Sequence, residues 1–330
     1  MDLSVIIVNY RGWEPLRECL GSLKLPEGVG FSYEIIVVDN NSDDGQLENF
    51  VKDYPYCQFI HNTVNGGFAY GCNKGAKVAH GDYLLFLNPD TVSIHGSIGR
   101  LMEEARLCKG MVLISCRQYS SSGRNTRAYG LFPGPGKLTG TGRAIYKFFC
   151  GEKVGSSSGE ENEVIHPDWV SGSVMMISKE SFSMIGGFDE DYWMYYEDTD
   201  ICRRIRNNGG DIRYYTTFGI IHNHGGASRI NIRTAALTKT EVNISRHVYV
   251  SKHFTGFTRF ILQKYLVINN LITGLISALA GLVVFFRPGI FLFVLKFARL
   301  FRYYLGSAIY GKWISPRSVN FNNTQRSNLF

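Results

Sequence analysis

Beyond Glu241 the chain has no Asp or Glu, although eleven of its 35 Lys and Arg lie there. The formal charge of +7 is therefore local: residues 1–241 hold 24 basic against 28 acidic side chains, and only the C-terminal stretch is a cationic field. That distribution excludes a broadly basic nucleic-acid surface. The seven Cys include no C-x-x-C pair, which removes zinc ribbons and disulfide frameworks and fits a reducing compartment. Proline is scarce, and charged residues are only 19% of the chain against 45% hydrophobic, so disordered and collagen-like classes are excluded. The apolar run Leu3–Val8 is too short for a signal-peptide core, and a chain that is not exported is expected.

What is present is alternation. Short apolar runs at Leu3–Val8, Glu34–Val38, Gln58–His61 and Tyr83–Leu87 are separated by helical patterns at Glu14–Leu25, Gln46–Tyr54, Phe68–Ala79 and Ile94–Cys108. Near-continuous apolar strands between helices predict an α/β fold with a mostly parallel sheet covered on both faces. Ligands of such sheets sit beyond the carboxyl ends of the strands. One domain is expected over residues 1–241, interrupted by a long mobile insertion at 117–164, where Ser120–Gly123, Pro133–Gly136 and Ser156–Gly159 break the pattern. Ser173–Ser178 reads as a further strand, and Asp198–Asn208 as a helix stopped by Gly209-Gly210.

From 242 to 313 the composition changes. Tyr265–Phe286 is 22 residues without a formal charge, ended by Arg287-Pro288-Gly289, long enough to span a bilayer. Lys296, Arg299 and Arg302 then fall on one face of the helical pattern Ile290–Tyr310, which suits an anionic lipid surface. Basic apolar helices that associate with a membrane, crossing or lying on it, are the expectation. The alternatives are a buried helical hairpin or a contact between copies of the chain in a homo-oligomer. Residues 314–330, rich in Asn and Ser, read as a flexible tail.

The residues just past each strand carry the chemistry. Asn9-Tyr10-Arg11 follows the first. Asp39 and Asn41 follow the second, where a carboxylate can accept the ring N–H of a pyrimidine base or simply cap an Asx turn. Asn65-Gly66-Gly67 starts a helix that also holds Asn73; small residues and free N–H groups there favour an anion. The glycine spacing matches neither a Rossmann fingerprint nor a P-loop, so hydride transfer and ATP hydrolysis lose support. Asn88-Pro89-Asp90 follows the fourth strand, where Asp90 can hold a divalent cation between two phosphates. Trp169, Ser171 and Gly172 precede a later strand. Tyr192 and Trp193 lie among six carboxylates within residues 189–200, a composition that suits a sugar platform beside an acid–base group. His222 and His224 close the set as possible ligands of the same cation.

The order Val38-Asp39-Asn40-Asn41-Ser42-x-Asp44-Gly45, Asn65-Gly66-Gly67-Phe68-Ala69, Leu87-Asn88-Pro89-Asp90-Thr91, Gly187-Phe188-Asp189-Glu190 and Glu197-Asp198-x-Asp200 resembles the family-two inverting glycosyltransferases, especially their rhamnosyltransferase-like branch. The resemblance covers residues 1–230 and implies a GT-A fold, a nucleotide-sugar donor and Mg2+ or Mn2+. It implies that Asp39 contacts the base and that Asn9, Tyr10 and Arg11 line the nucleotide pocket. Asp90, with His222 or His224, would bind the metal, although Asn88 stands where the family motif has an acid. Asp198 would be the catalytic base, with Glu197 beside it. The implied reaction is one inverting displacement, L-rhamnose from a thymidine diphosphate donor being the first choice and a uridine diphosphate sugar the alternative. A polyprenyl diphosphate-linked glycan acceptor at the cytoplasmic face of the inner membrane would give the basic C-terminus a purpose. A catalytically silent membrane adaptor with the same fold is the reading from another class.

Overall fold

The computed structural model describes residues 1–24, 30–94, 96–150, 163–223, 231–283 and 290–321. The first half runs β1 (Leu3–Asn9), α1 (Trp13–Ser22), β2 (Tyr33–Asp39), α2 (Leu47–Asp53), β3 (Cys57–His61), α3 (Phe68–Val78), β4 (Tyr83–Leu87), β5 (Thr91–Ser93), α4 (Ser97–Leu107) and β6 (Val112–Tyr119). Short strands β7 (Asn125–Thr126) and β8 (Tyr129–Gly130), helix α5 (Gly140–Cys150), and strands β9 (Val164–Ile165) and β10 (Trp169–Val170) follow. Then come β11 (Val174–Ser178), α6 (Lys179–Met184), α7 (Glu197–Asn207), β12 (Asp211–His222), α8 (Ile232–His253), α9 (Gly256–Val283) and α10 (Ile290–Tyr310).

The chain divides into two compact units. The first comprises Met1–Phe132, Gly159–Asp189 and Glu197–Ala227; the second comprises Pro133–Ser158, Glu190–Tyr196 and Ser228–Phe330.

The first unit is built on a sheet of order β3-β2-β1-β4-β11-β6-β12-β5, in which β11 and β5 are antiparallel to their neighbours and the other pairings along this path are parallel. Every residue of β1 is buried, as a strand covered on both faces requires. Trp13, Leu16 and Leu20 of α1 and Ile98 and Leu101 of α4 pack on one face; Cys72 of α3 and Ile201 and Ile205 of α7 pack on the other. A Cβ on Gly71 would lie 2.6 Å from Val8, and one on Gly75 would lie 2.5 Å from Ile6. These two glycines bring α3 down onto β1.

Of the segment expected as a mobile insertion, residues 117–150 and 163–164 are described and hold regular elements, whereas Ser156–Gly159 lies outside the described residues. Residues 117–119 complete β6 against β12. Ser120–Gly123 is a hairpin turn, closed by Gly123 N–H to Ser120 O at 2.9 Å, that leads into β7. Helix α5 belongs to the second unit. Ser and Gly punctuate a turn as readily as a loop, and sequence periodicity cannot tell them apart.

In the second unit α8, α9 and α10 pack around Ile244, Val248, Tyr249, Leu262, Leu266 and Tyr303. At its centre His247 bonds Gln263 through Nδ1 and the Tyr304 hydroxyl through Nε2 at 3.0 Å, and stacks on Trp313 at 4.8 Å. The boundary expected after residue 241 falls inside α8, where buried Glu241 accepts a hydrogen bond from Ser315 Oγ at 2.9 Å. Of the segment expected as a flexible tail, 314–321 is tied down: Ser315 N–H and Ser318 Oγ donate to Asp191 O and Glu190 O. Hydrogen bonds to carbonyls hold it, and these leave no signature in composition.

Candidate active site

Parallel strands β1, β2, β4, β6 and β12 all end at one edge of the sheet, and most of the expected residues of the first unit gather there. Asn9 and Asp39 are register partners at the ends of β1 and β2. Asn88 follows β4, with its N–H on Ser173 O at 3.1 Å. Gln118 and His222 close β6 and β12. The 12-residue β12 reaches this edge through a bulge between Tyr215 and Gly219, which re-aims its last residues.

At the centre of the edge, His222 Nε2 lies 3.2 Å from Asp90 Oδ1. His222 Nδ1 is 3.0 Å from the amide oxygen of Gln118, which also accepts from Ser173 Oγ at 2.9 Å. An amide oxygen only accepts, so Nδ1 carries the hydrogen and the Nε2 lone pair faces the Asp90 carboxylate. In this arrangement a metal ion fits between the two acceptors. A carboxylate and an imidazole nitrogen leaving further positions to water and phosphate oxygens suit Mg2+ or Mn2+, so these residues fit the expected ion. Among the described residues no cluster of three or more His, Cys, Asp or Glu forms, and His224 lies outside them.

Asp198 stands one step along the same network. It sits in the first turn of α7, where helix N–H groups favour negative charge. Its Oδ2 accepts from Gly172 N–H at 3.1 Å and its Oδ1 from Thr199 N–H at 2.6 Å. Gly172 leaves room: a Cβ there would meet Phe68 at 3.3 Å and the Asp198 Cβ at 3.5 Å. Ser171 Oγ lies 3.0 Å from Ser173 Oγ, so residues 171–173 link the Asp198 carboxylate to the Gln118–His222–Asp90 chain. Burial raises the Asp198 pKa, opposed by the hydrogen bonds from Gly172 and Thr199. Burial raises Glu197 further, well above the carboxylate range, and the neighbouring charge of Asp198 adds to the shift. Glu197 Oε2 is buried without a hydrogen-bond partner. Glu197 is thus the member that keeps its proton, and Asp198 the one that can ionise. Two consecutive non-glycine residues, Tyr195 (φ 72°) and Tyr196 (φ 68°), are left-handed just before them, a costly backbone state that tends to mark functional sites.

Several expected ligands also make contacts within the fold. Asp39 is 1% exposed; it accepts from Ser42 N–H and Oγ and lies 3.2 Å from His61 Nδ1, which is the Asx-turn reading of that motif. Asn9 Oδ1 accepts from Gly12 N–H at 3.1 Å, while its buried Nδ2 has no partner. Arg11 is left-handed (φ 55°) and donates to Ser42 through N and Nε. Tyr10 is exposed at the rim, and Asn41 is partly exposed. Asn65 Oδ1 accepts from Gly67 N–H at 3.2 Å, and Gly67 (φ 91°) starts α3 after buried Gly66. Asn73 clamps the Phe188 backbone from both ends of its amide, at 2.8 and 3.0 Å. Trp169 donates from Nε1 to Leu131 O at 2.9 Å and packs on Gly130.

The sugar platform expected at Tyr192 and Trp193 is corrected. Both are buried, at 0% and 4% exposure, inside the second unit, where Arg317 lies over the Trp193 ring at 5.1 Å. Aromatics have the same composition in a core as on a platform, and here the core takes them. Gln118 and Ser173 are the residues that sequence reasoning left without a role. Their signal is a polar side chain next to the end of one apolar strand, Gln118 in β6, and one just before the start of another, Ser173 ahead of β11; an insertion that starts at 117 hides the first.

Residues 4–158 match the family described as Glycosyl transferase family 2, and residues 164–224 match the one described as N-terminal domain of galactosyltransferase. The rhamnosyltransferase WbbL of Escherichia coli is 26% identical over 230 residues, 66% of this chain and 82% of that one. An N-acetylglucosaminyl-diphospho-decaprenol L-rhamnosyltransferase of Mycobacterium tuberculosis is 25% identical over 286 residues, 78% of this chain and 86% of that one. Among solved structures, S. aureus TarS aligns with a TM-score of 0.49 at 16% identity over 96% of this chain and 82% of that one. With its motifs in order along one edge of a mostly parallel α/β sheet, residues 4–158 form a glycosyltransferase family 2 domain, the fold is GT-A-like, and the chain as a whole is similar to the rhamnosyltransferase branch of that family.

Proposed function

We propose that the protein moves L-rhamnose from a thymidine diphosphate donor to a hydroxyl of a polyprenyl diphosphate-linked glycan, with inversion at the anomeric carbon. The reaction serves synthesis of a cell-surface polysaccharide on the cytoplasmic face of the plasma membrane. The observation that carries this reading is the placement of Asp198, held by two N–H groups and joined through Ser171–Ser173 and Gln118 to Asp90 and His222. The names of the two rhamnosyltransferases support the donor sugar, and that of the mycobacterial relative supports the lipid-linked acceptor.

Asp198 takes the proton of the acceptor hydroxyl as that oxygen bonds to the anomeric carbon. The bond from that carbon to the diphosphate oxygen breaks, and its electron pair leaves with the nucleoside diphosphate. The hydrogen bonds of Asp198 keep its carboxylate ionised and oriented until the acceptor arrives. Glu197, neutral, adds no second charge beside it. The start of α3 at Gly67 offers N–H groups to the diphosphate. Asp90 and His222 would hold Mg2+ or Mn2+, which when bound supplies positive charge against the leaving group.

The test is a donor panel of dTDP-rhamnose, UDP-galactofuranose, UDP-glucose and UDP-N-acetylglucosamine, with manganese and a polyprenyl diphosphate N-acetylglucosamine acceptor, read by product mass. A deoxyhexose increment from dTDP-rhamnose alone is expected, and it should vanish with a chelator. Transfer from a uridine diphosphate donor instead would replace the donor assignment. Transfer that survives chelation would remove the metal.

A further inference from the structure

Helices α9 and α10 leave an apolar face uncovered. On α9, Leu262, Gln263, Leu266 and Asn270 are buried, whereas Phe257, Ile268, Ile272, Ile276 and Leu279 are more than half exposed. On α10, Phe291 and Ile309 are 67% and 73% exposed. Single exposed apolar side chains are ordinary, but a stripe along two helices marks an interaction surface. Its surroundings name the partner. Lys264 and Arg302 are exposed on the same helical faces as the stripe, and no acidic residue follows Glu241 to offset them. Apolar side chains flanked by cations complement the boundary between acyl chains and anionic headgroups.

Polar anchors decide how deep the helices go. Gln263 Nε2 donates to His247 O at 2.9 Å, and Asn270 Nδ2 donates to the Tyr304 hydroxyl at 2.8 Å. They fasten the first half of α9 to α8 and α10. Helix α8 carries Lys239, Glu241, Arg246 and Lys252, a set too costly for hydrocarbon, so this half stays at headgroup level. Beyond Asn270, α9 has thirteen described residues, about 20 Å of rise, against the ~30 Å of a hydrocarbon core. The helices remain together there, since a Cβ on Gly274 would lie 3.0 Å from Phe297. Lys296 and Arg299 on α10 also disfavour a crossing.

We propose that α9 and α10 form a hairpin that dips its distal apolar half into one leaflet of an anionic bilayer and does not cross it. This deepens the membrane association proposed above by fixing its depth, its lipid preference and the side chains that make it.

The experiment uses the purified full-length protein with preformed vesicles of phosphatidylcholine containing a quarter phosphatidylglycerol. The protein should float with these vesicles, exchange onto fresh ones, and bind pure phosphatidylcholine at least tenfold more weakly. The double variant Ile272→Asp, Ile276→Asp should lose tenfold or more in vesicle binding with nucleotide-sugar binding unchanged. A second variant, Lys264→Gln with Arg302→Gln, should lose affinity for the anionic vesicles only. Undiminished flotation of the aspartate variant overturns the proposal. So does bound protein that never exchanges, which indicates a crossing, or a wild type that dimerises and does not float, which assigns the face to a second copy. Wild type that floats but binds no donor counts against the transferase reading alone.

Discussion

Glu197 and Asp198 are neighbours in the chain, yet their surroundings give them different protonation states. Asp198 has hydrogen-bond donors on both oxygens, whereas Glu197 is buried with Oε2 unpartnered. Asp198→Asn should therefore abolish transfer while donor binding persists. Glu197→Gln, which copies a protonated acid, should keep activity within about threefold, since it changes neither shape nor charge; a loss as deep as that of Asp198→Asn would transfer the role of base to Glu197. Because burial raises the Asp198 pKa and only the ionised form accepts a proton, activity should fall with falling pH. Its acid limb should lie above the ordinary carboxylate range, in the Glu197→Gln enzyme as in the wild type. Gln118 acts through His222. Gln118→Leu removes the acceptor that fixes the ring, and about a 10–100-fold loss of apparent manganese affinity is expected, the usual cost of removing a partner behind a metal ligand. A titration curve superimposable on that of the wild type would deny Gln118 this role.

At the scale of elements, α3 shows how one glycine-rich stretch serves two purposes. Gly66 and Gly67 shape the start of the helix, whereas Gly71 and Gly75 let it rest on β1. Both uses favour small residues, so composition alone does not separate them. Gly75→Ala separates them. Alanine improves helix propensity by about 1 kcal/mol, but its Cβ would stand 2.5 Å from Ile6, and forcing an extra methyl into a packed interface costs about 1–3 kcal/mol. Chemical denaturation should find the variant no more stable than the wild type, and destabilised by up to ~2 kcal/mol. A clear gain in stability would mean that the helix can lift off β1 at no cost. The loop at 190–196 teaches a related lesson. Its carboxylates and aromatics read as a sugar platform, but Asp191 bonds the Ser315 N–H and Asn320, and Tyr192 fills the second unit's core.

Across the whole molecule, pH acts on the second unit through two buried groups. Burial pushes the Glu241 carboxyl up to about 7 from an ordinary 4.5, and pushes the His247 imidazole down to about 4 from 6.5. Glu241 binds its proton more tightly folded than unfolded, so its contribution is present below pH 4.5 and is lost as pH rises through 7. The His247 contribution has the opposite sign: it is present above pH 6.5 and is lost as pH falls through 4. Between 4.5 and 6.5 the two offset one another. Glu241→Gln removes the first alone, so the stability of the variant relative to the wild type should rise by roughly 3 kcal/mol from pH 4.5 to 7, at ~1.36 kcal/mol per pH unit. Urea titrations at pH 4.5, 6 and 7.5 measure it, and a difference that stays constant across them would place Glu241 in water.

The strands and the edge at which their polar residues gather were legible without coordinates. A strand buried on both faces is apolar through its centre, so the polar residues that follow Val8, Val38 and Leu87, namely Asn9, Asp39 and Asn88, announce where it ends. The charge asymmetry about Glu241 was equally plain, because it is a matter of counting. Tertiary structure alone decided which partners each polar group meets. It gave Asp39 to its own turn, Asn73 to Phe188, Gln118 to His222, and Tyr192 and Trp193 to a core. A hydrogen bond or a packing contact depends on which partner arrives within about 3–4 Å, and partners such as Gln118 and His222, 104 residues apart in the chain, are brought together only by the fold.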